Sequence, residues 1–120
     1  MACEKCFRVP PSLDDLALVR ELFSSSHLDY ALVRCCHCQQ VFLQTFDEEI
    51  DWEDGNDRMW SIYIALTEAE VDSINALPDN ECTQGLHNET LLRVGVSNPS
   101  IVKGPDNQWK GNRLQLPWPR

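Results

Sequence analysis

Two cysteine pairs, Cys3-x-x-Cys6 and Cys35-x-x-Cys38, carry the most legible chemistry in this chain. Two residues between thiolates let the backbone form a tight knuckle turn that aims both sulfurs at one point about 2.3 Å away, and two such pairs supply the four ligands of a closed tetrahedral site. Zinc is the expected ion, with iron left open because four thiolates suit either. Glycine commonly eases the turn where φ becomes positive, whereas here Gln39 and Gln40 follow Cys38. Cys36 and His37 lie inside the second knuckle and are expected to point outward, since four cysteines already complete the tetrahedron. Cys82 and His87 have the spacing of half a further site. Only Cys36, His37 and His27 remain to complete it, so a buried thiol and a surface imidazole are the expectation there.

Other uses of the cysteines fit less well. A secreted disulfide framework predicts a signal peptide, and Met1-Ala2-Cys3-Glu4-Lys5-Cys6 offers no apolar core for one. A redox C-x-x-C of the thioredoxin kind follows a strand and opens a helix, but Val41-Phe42-Leu43 after the second pair reads as a strand. Catalytic zinc needs an open coordination position, which four thiolates close. With no nucleophile and base pair and no glycine-rich phosphate loop, the expectation is that the protein is not an enzyme.

At 120 residues the chain is read as one domain, 1–120, in which a metal staple contributes a large share of stability. Six cysteines, and no apolar run of the roughly 18 residues that span a bilayer, suggest a soluble cytoplasmic protein. Ten basic residues against nineteen acids give a net charge of -9, which disfavours a phosphate backbone as ligand. The acids concentrate between Asp47 and Glu81, while the segment from Arg93 onward is mildly basic.

The run from Asp47 to Asp57 packs its carboxylates around Trp52 and Gly55. A Ca²⁺ loop of the EF-hand type fails on register, because Gly55 at loop position six puts Ile50 at position one. The run therefore reads as a solvated hairpin arm. Glu49, Asp51, Trp52, Glu53, Asp54 and Asp57 make it the candidate surface for a basic protein partner, since an aromatic with a charged rim resembles an interface anchor.

These sites need elements to hold them. Ser12 as N-cap, Asp14 and Asp15 in a first turn, and Leu13, Leu16, Val19, Leu22 and Phe23 at helical spacing predict a helix to about Phe23. Leu28 to Arg34 and Val41 to Phe46 predict a hairpin with the second knuckle at its tip. Met59 to Leu66 predicts a third strand that buries Trp60, Ile62, Ile64 and Leu66. Thr67-Glu68-Ala69-Glu70 is a capping box that opens a helix to about Leu77, with Val71, Ile74 and Leu77 as its apolar stripe. Leu91 to Val96 predicts a short strand, and beyond about residue 97 the Pro, Gly and Asn content predicts an irregular segment that still packs.

From Cys35 to Trp60 the chain carries a C-x-x-C pair, then Phe42-Leu43, Phe46, Glu48, Ile50-Asp51-Trp52, Gly55, Asp57 and Trp60. This run resembles one found in uncharacterised bacterial zinc-ribbon proteins, over about a quarter of the chain. Cys36 and Gln39 stand where that pattern often has proline and glycine. The resemblance implies a small metal-binding protein with Cys35 and Cys38 as ligands, and it points to no particular activity. The paired knuckles also resemble rubredoxin, without its C-P-x-C-G second knuckle. The fold class expected is α+β: a zinc-ribbon-like small antiparallel sheet with two zinc knuckles and about two helices. The function expected is a structural-zinc module that presents an acidic surface to a protein, the alternatives being a rubredoxin-like redox protein or a nucleic-acid-binding zinc ribbon.

Overall fold

Strands consecutive in sequence commonly pair, and the strands among the described residues all do so, the fourth and fifth across the connection that carries the helices. A computed structural model of the protein describes residues 3, 6–7, 9–24, 28–49, 53–55, 58–78, 89–106 and 108–112. After a 3-10 turn at Leu13–Asp15 come β1 (Leu16–Ser24), β2 (Leu28–Cys35), β3 (Val41–Glu49), β4 (Arg58–Ala65), α1 (Glu68–Asn75), α2 (Glu89–Ser97), β5 (Ser100–Lys103) and β6 (Trp109–Asn112). The strands form one six-stranded sheet in the order β1-β2-β3-β4-β5-β6, antiparallel at every step. The architecture is α+β. Among the described residues no helix is long and apolar enough to cross a membrane.

Side chains alternate across a strand, and both faces of this sheet are covered. On one face Leu22, Tyr30, Leu32, Leu43 and Ile64 pack with Leu66 and with Ile74, Leu91 and Val94 from the two helices. On the other, Val33, Phe42, Tyr63 and Ala65 pack with Cys6 and Cys35, flanked by Phe7, Leu16 and Trp109. The strand predicted over Met59 to Leu66 was expected to bury one row. Instead Tyr63 and Ala65 are buried as well as Ile64 and Leu66, while Trp60 and Ile62 are only half-buried. The second row is covered by the N-terminal knuckle and by Trp109, whose ring lies 6.0 Å from that of Tyr63.

The helix expected from Ser12 to Phe23 is a 3-10 turn followed by strand β1. The pairing with β2 skips one residue between Leu18 and Arg20 and another between Glu21 and Phe23. The helical spacing of Leu16, Val19 and Leu22 does not become a shared face: Leu16 packs with the cysteine-side cluster, Leu22 lies in the helix-side cluster, and Val19 is exposed. The strand expected at Leu91 to Val96 is helix α2, which presents Leu91 and Val94, three apart, to the core; tertiary burial overrides the β preference of its valines. The segment expected to be irregular beyond residue 97 supplies β5 and β6 and so completes the sheet.

The capping box is present in full: Thr67 N–H donates to Glu70 Oε1 at 2.8 Å, and Glu70 N–H donates to Thr67 Oγ1 at 3.3 Å. Buried Asn98, just past α2, ties this box to the sheet. Its amide donates to the Ala65 carbonyl at 2.9 Å and to the two Glu70 carboxylate oxygens at 2.9 and 3.0 Å. On the helix-covered face, Thr45 Oγ1 and Asp47 Oδ1 are buried without a hydrogen-bond partner among the described residues.

Candidate metal centre

The β2–β3 hairpin carries the second knuckle at its tip, as its sequence predicts. Cys35 ends β2, residues 36–38 form the turn, and Val41 begins β3. Cys35 N–H donates to the Gln40 carbonyl and Gln39 N–H to the Cys35 carbonyl, each at 2.9 Å. Closing so tight a loop drives Gln39 to φ 66°, the left-handed region that usually selects glycine. Buried Gln40 locks the exit: its side-chain amide donates to the Val41 carbonyl at 2.8 Å and to the Leu66 carbonyl at 2.6 Å, which joins the knuckle to the end of β4.

The N-terminal knuckle lies against this tip. Phe7 N–H donates to the Cys3 carbonyl at 3.0 Å, and the Phe7 ring stacks on Phe42 of β3 with centroids 6.4 Å apart. The packing places Cys3, Cys6, Cys35 and Cys38 together, all four sulfurs within 4.8 Å of one another. Cys3 to Cys6 is 3.6 Å, Cys3 to Cys35 is 3.8 Å and Cys6 to Cys38 is 3.6 Å. Four sulfurs at about 2.3 Å from a tetrahedral ion stand roughly 3.8 Å from each other. The cluster therefore has the dimensions to hold a metal ion. A disulfide needs about 2.05 Å, and none of the four cysteines is disulfide-bonded, which sets the disulfide reading aside.

Burial is the main cause that pushes the Cys6 thiol well above its ordinary value, and it raises Cys35 as well. Opposing it at Cys35 are backbone N–H groups of Cys38 and His37, the latter 3.4 Å from the sulfur. Such donors favour the thiolate. In the absence of a cation the burial of these sulfurs opposes charge; a bound cation would compensate it and displace the protons.

Cys36 and His37 point outward, as expected, and both are exposed. They do not stand alone, however. His37 Nε2 lies 3.0 Å from Asp15 Oδ1, and Cys36 Sγ lies 3.9 Å from the same oxygen. Of the acidic candidate surface, Glu53 and Asp54 are exposed at the turn before Gly55, whose φ is +71°; Asp51, Trp52, Asp57 and the side chain of Glu49 lie outside the described residues. So do His27, Cys82 and His87, and with them the idea of a further site there. Two residues of the centre escape a reading by spacing, Asp15 and Gln40. Asp15 appears in sequence only as a helix-start acid, and Gln40 only as a missing glycine.

No protein-family model matches the chain, and no curated protein or solved structure is detectably similar to it.

Proposed function

We propose that Cys3, Cys6, Cys35 and Cys38 hold one structural Zn²⁺, and that the domain so clamped is a protein-interaction module rather than an enzyme. The near-tetrahedral spacing of four sulfurs drawn from two knuckles carries this reading. Four thiolates fill the zinc shell and leave no position for a substrate or a water. The ion's task is then cohesion, and structural zinc in finger peptides contributes on the order of 10–16 kcal/mol.

The interaction half of the proposal rests on charge and its distance from the metal. Nine residues of β3 separate the knuckle from the acidic turn, roughly 25–30 Å of extended chain. A basic partner can therefore dock at Glu53 and Asp54 without disturbing the cysteines, and opposite charge would speed its approach. The test is a pull-down from the native cell with wild type and with Glu49, Glu53 and Asp54 all changed to Lys. Loss of a captured protein, with metal content and melting curve unchanged, supports the module. An unchanged captured set removes it.

A rubredoxin-like iron site is the second reading, favoured by the His37 N–H aimed at Cys35 Sγ, since hydrogen bonds to sulfur tune iron–thiolate potentials. Metal analysis of protein purified without added metal separates the two.

A further inference from the structure

The second knuckle faces two ways. Cys35 and Cys38 turn inward to the four-sulfur cluster, while Cys36 and His37, the residues between them, turn outward and meet Asp15 from the 3-10 turn. The ligand atoms of Asp15, Cys36 and His37 all lie within 4.8 Å of one another. From Asp15 Oδ1 the distances are 3.0 Å to His37 Nε2 and 3.9 Å to Cys36 Sγ. A tetrahedral ion with bonds of about 2.0–2.3 Å asks for ligand atoms roughly 3.3–3.7 Å apart, so shifts of a few tenths of an ångström bring both separations from Asp15 into range.

Asp15 is held for this geometry by Ser12 and by the backbone of the knuckle. Ser12 Oγ donates to its far oxygen, Oδ2, at 2.7 Å, which leaves Oδ1 toward the knuckle. Its backbone carbonyl accepts from Cys36 N–H at 2.9 Å, so the turn and the knuckle are fastened together. A hydrogen-bond donor on the carboxylate and a fixed backbone orient a metal ligand before the ion arrives.

We infer that Asp15, Cys36 and His37 form a second metal site, specific for a divalent transition ion of the Zn²⁺ or Co²⁺ class. One imidazole, one thiolate and one carboxylate suit that class and not Mg²⁺ or Ca²⁺, which take oxygen ligands. Three protein ligands leave one tetrahedral position for water or an outside ligand. The site is thus open where the four-cysteine cluster is closed. It shares no ligand with that cluster, although both are built on the same knuckle.

The experiment loads the full chain with one equivalent of Zn²⁺ and titrates it with Co²⁺, reading the visible d–d bands and the thiolate-to-cobalt charge-transfer band. Wild type should bind one further ion with a single-thiolate signature. Cys36→Ala, His37→Ala and Asp15→Asn should each lose that ion while keeping the first equivalent of zinc and the melting curve, which certify folding. Ser12→Ala, which removes only the support, should weaken the cobalt site by about 10–100-fold. Mg²⁺ should not compete. A wild type with no second equivalent overturns the inference. So does a second equivalent that survives in the ligand variants, because the ion then sits elsewhere, for example on the acidic turn.

Discussion

Cys6 and Cys38 bring their sulfurs to 3.6 Å although 32 positions separate them in the chain. That approach joins the N-terminal knuckle to the β2–β3 tip, and the repulsion of paired thiolates would oppose it unless a cation compensates. Cys38→Ser should therefore lose the ion held by the four-cysteine cluster, and both this variant and the chelated wild type should melt at a lower temperature. Loss of a structural ion removes several kcal/mol or more. A Cys38→Ser protein with full stoichiometry and an unchanged melting curve rejects this ligand set.

At Gln39, φ of 66° places a side chain where glycine is at ease. The left-handed region costs a non-glycine residue roughly 1–2 kcal/mol, against the ~0.5–1 kcal/mol of extra backbone entropy that glycine loses on folding. Gln39→Gly should stabilise the protein by up to about 1 kcal/mol in denaturant unfolding, with metal content unchanged. The weak 3.4 Å bond from its amide to the Cys36 carbonyl is all that the change forfeits in side-chain hydrogen bonding. A loss of stability would contradict the account.

Burial raises the Asp47 carboxyl above its ordinary 3.8, and its Oδ1 has no hydrogen-bond partner among the described residues. The folded state thus holds this proton more tightly than the unfolded one. Its contribution is fully present below the ordinary carboxylate range and is lost as pH rises through the raised folded value. Asp47→Asn, which cannot ionise, should gain on wild type as pH climbs from about 4 toward neutrality and then keep a constant advantage. Paired unfolding curves across that window measure it, and a pH-independent difference refutes it.

Asn98 is the clasp between α2, the α1 capping box and the end of β4. Asn98→Ala leaves the Ala65 carbonyl and part of the Glu70 carboxylate without their donor in a buried setting, at about 1–3 kcal/mol. Asn98→Asp should be worse, because it sets a second carboxylate against Glu70. Hydrogen exchange should show the first turn of α1 opening more readily in both variants. Equal protection in wild type and Asn98→Asp would show that the clasp contributes little.

Local spacing made certain features legible in the sequence alone. The two C-x-x-C pairs, the β2–β3 hairpin that lifts one of them, β4 and the Thr67–Glu70 box each depend on residues within a few positions of one another, and all appear where the sequence puts them. Tertiary structure decided the rest. Leu16 to Ser24 became a strand because β2 offered it an edge, with two bulges in the pairing, and its helically spaced apolar residues divide between the two faces. Leu91 and Val94 became a helix face because the sheet needed a cover. Residues 100–112 became strands because β4 had an open side. In the same way, nothing in the spacing of Asp15, 21 positions before Cys36, announces that its carboxylate meets Cys36 and His37. That meeting is a product of pairing β1 with β2, whose register brings Leu16 opposite Cys35 only after two bulges, and each bulge changes which residues stand opposite one another in a way that strand alternation does not reveal.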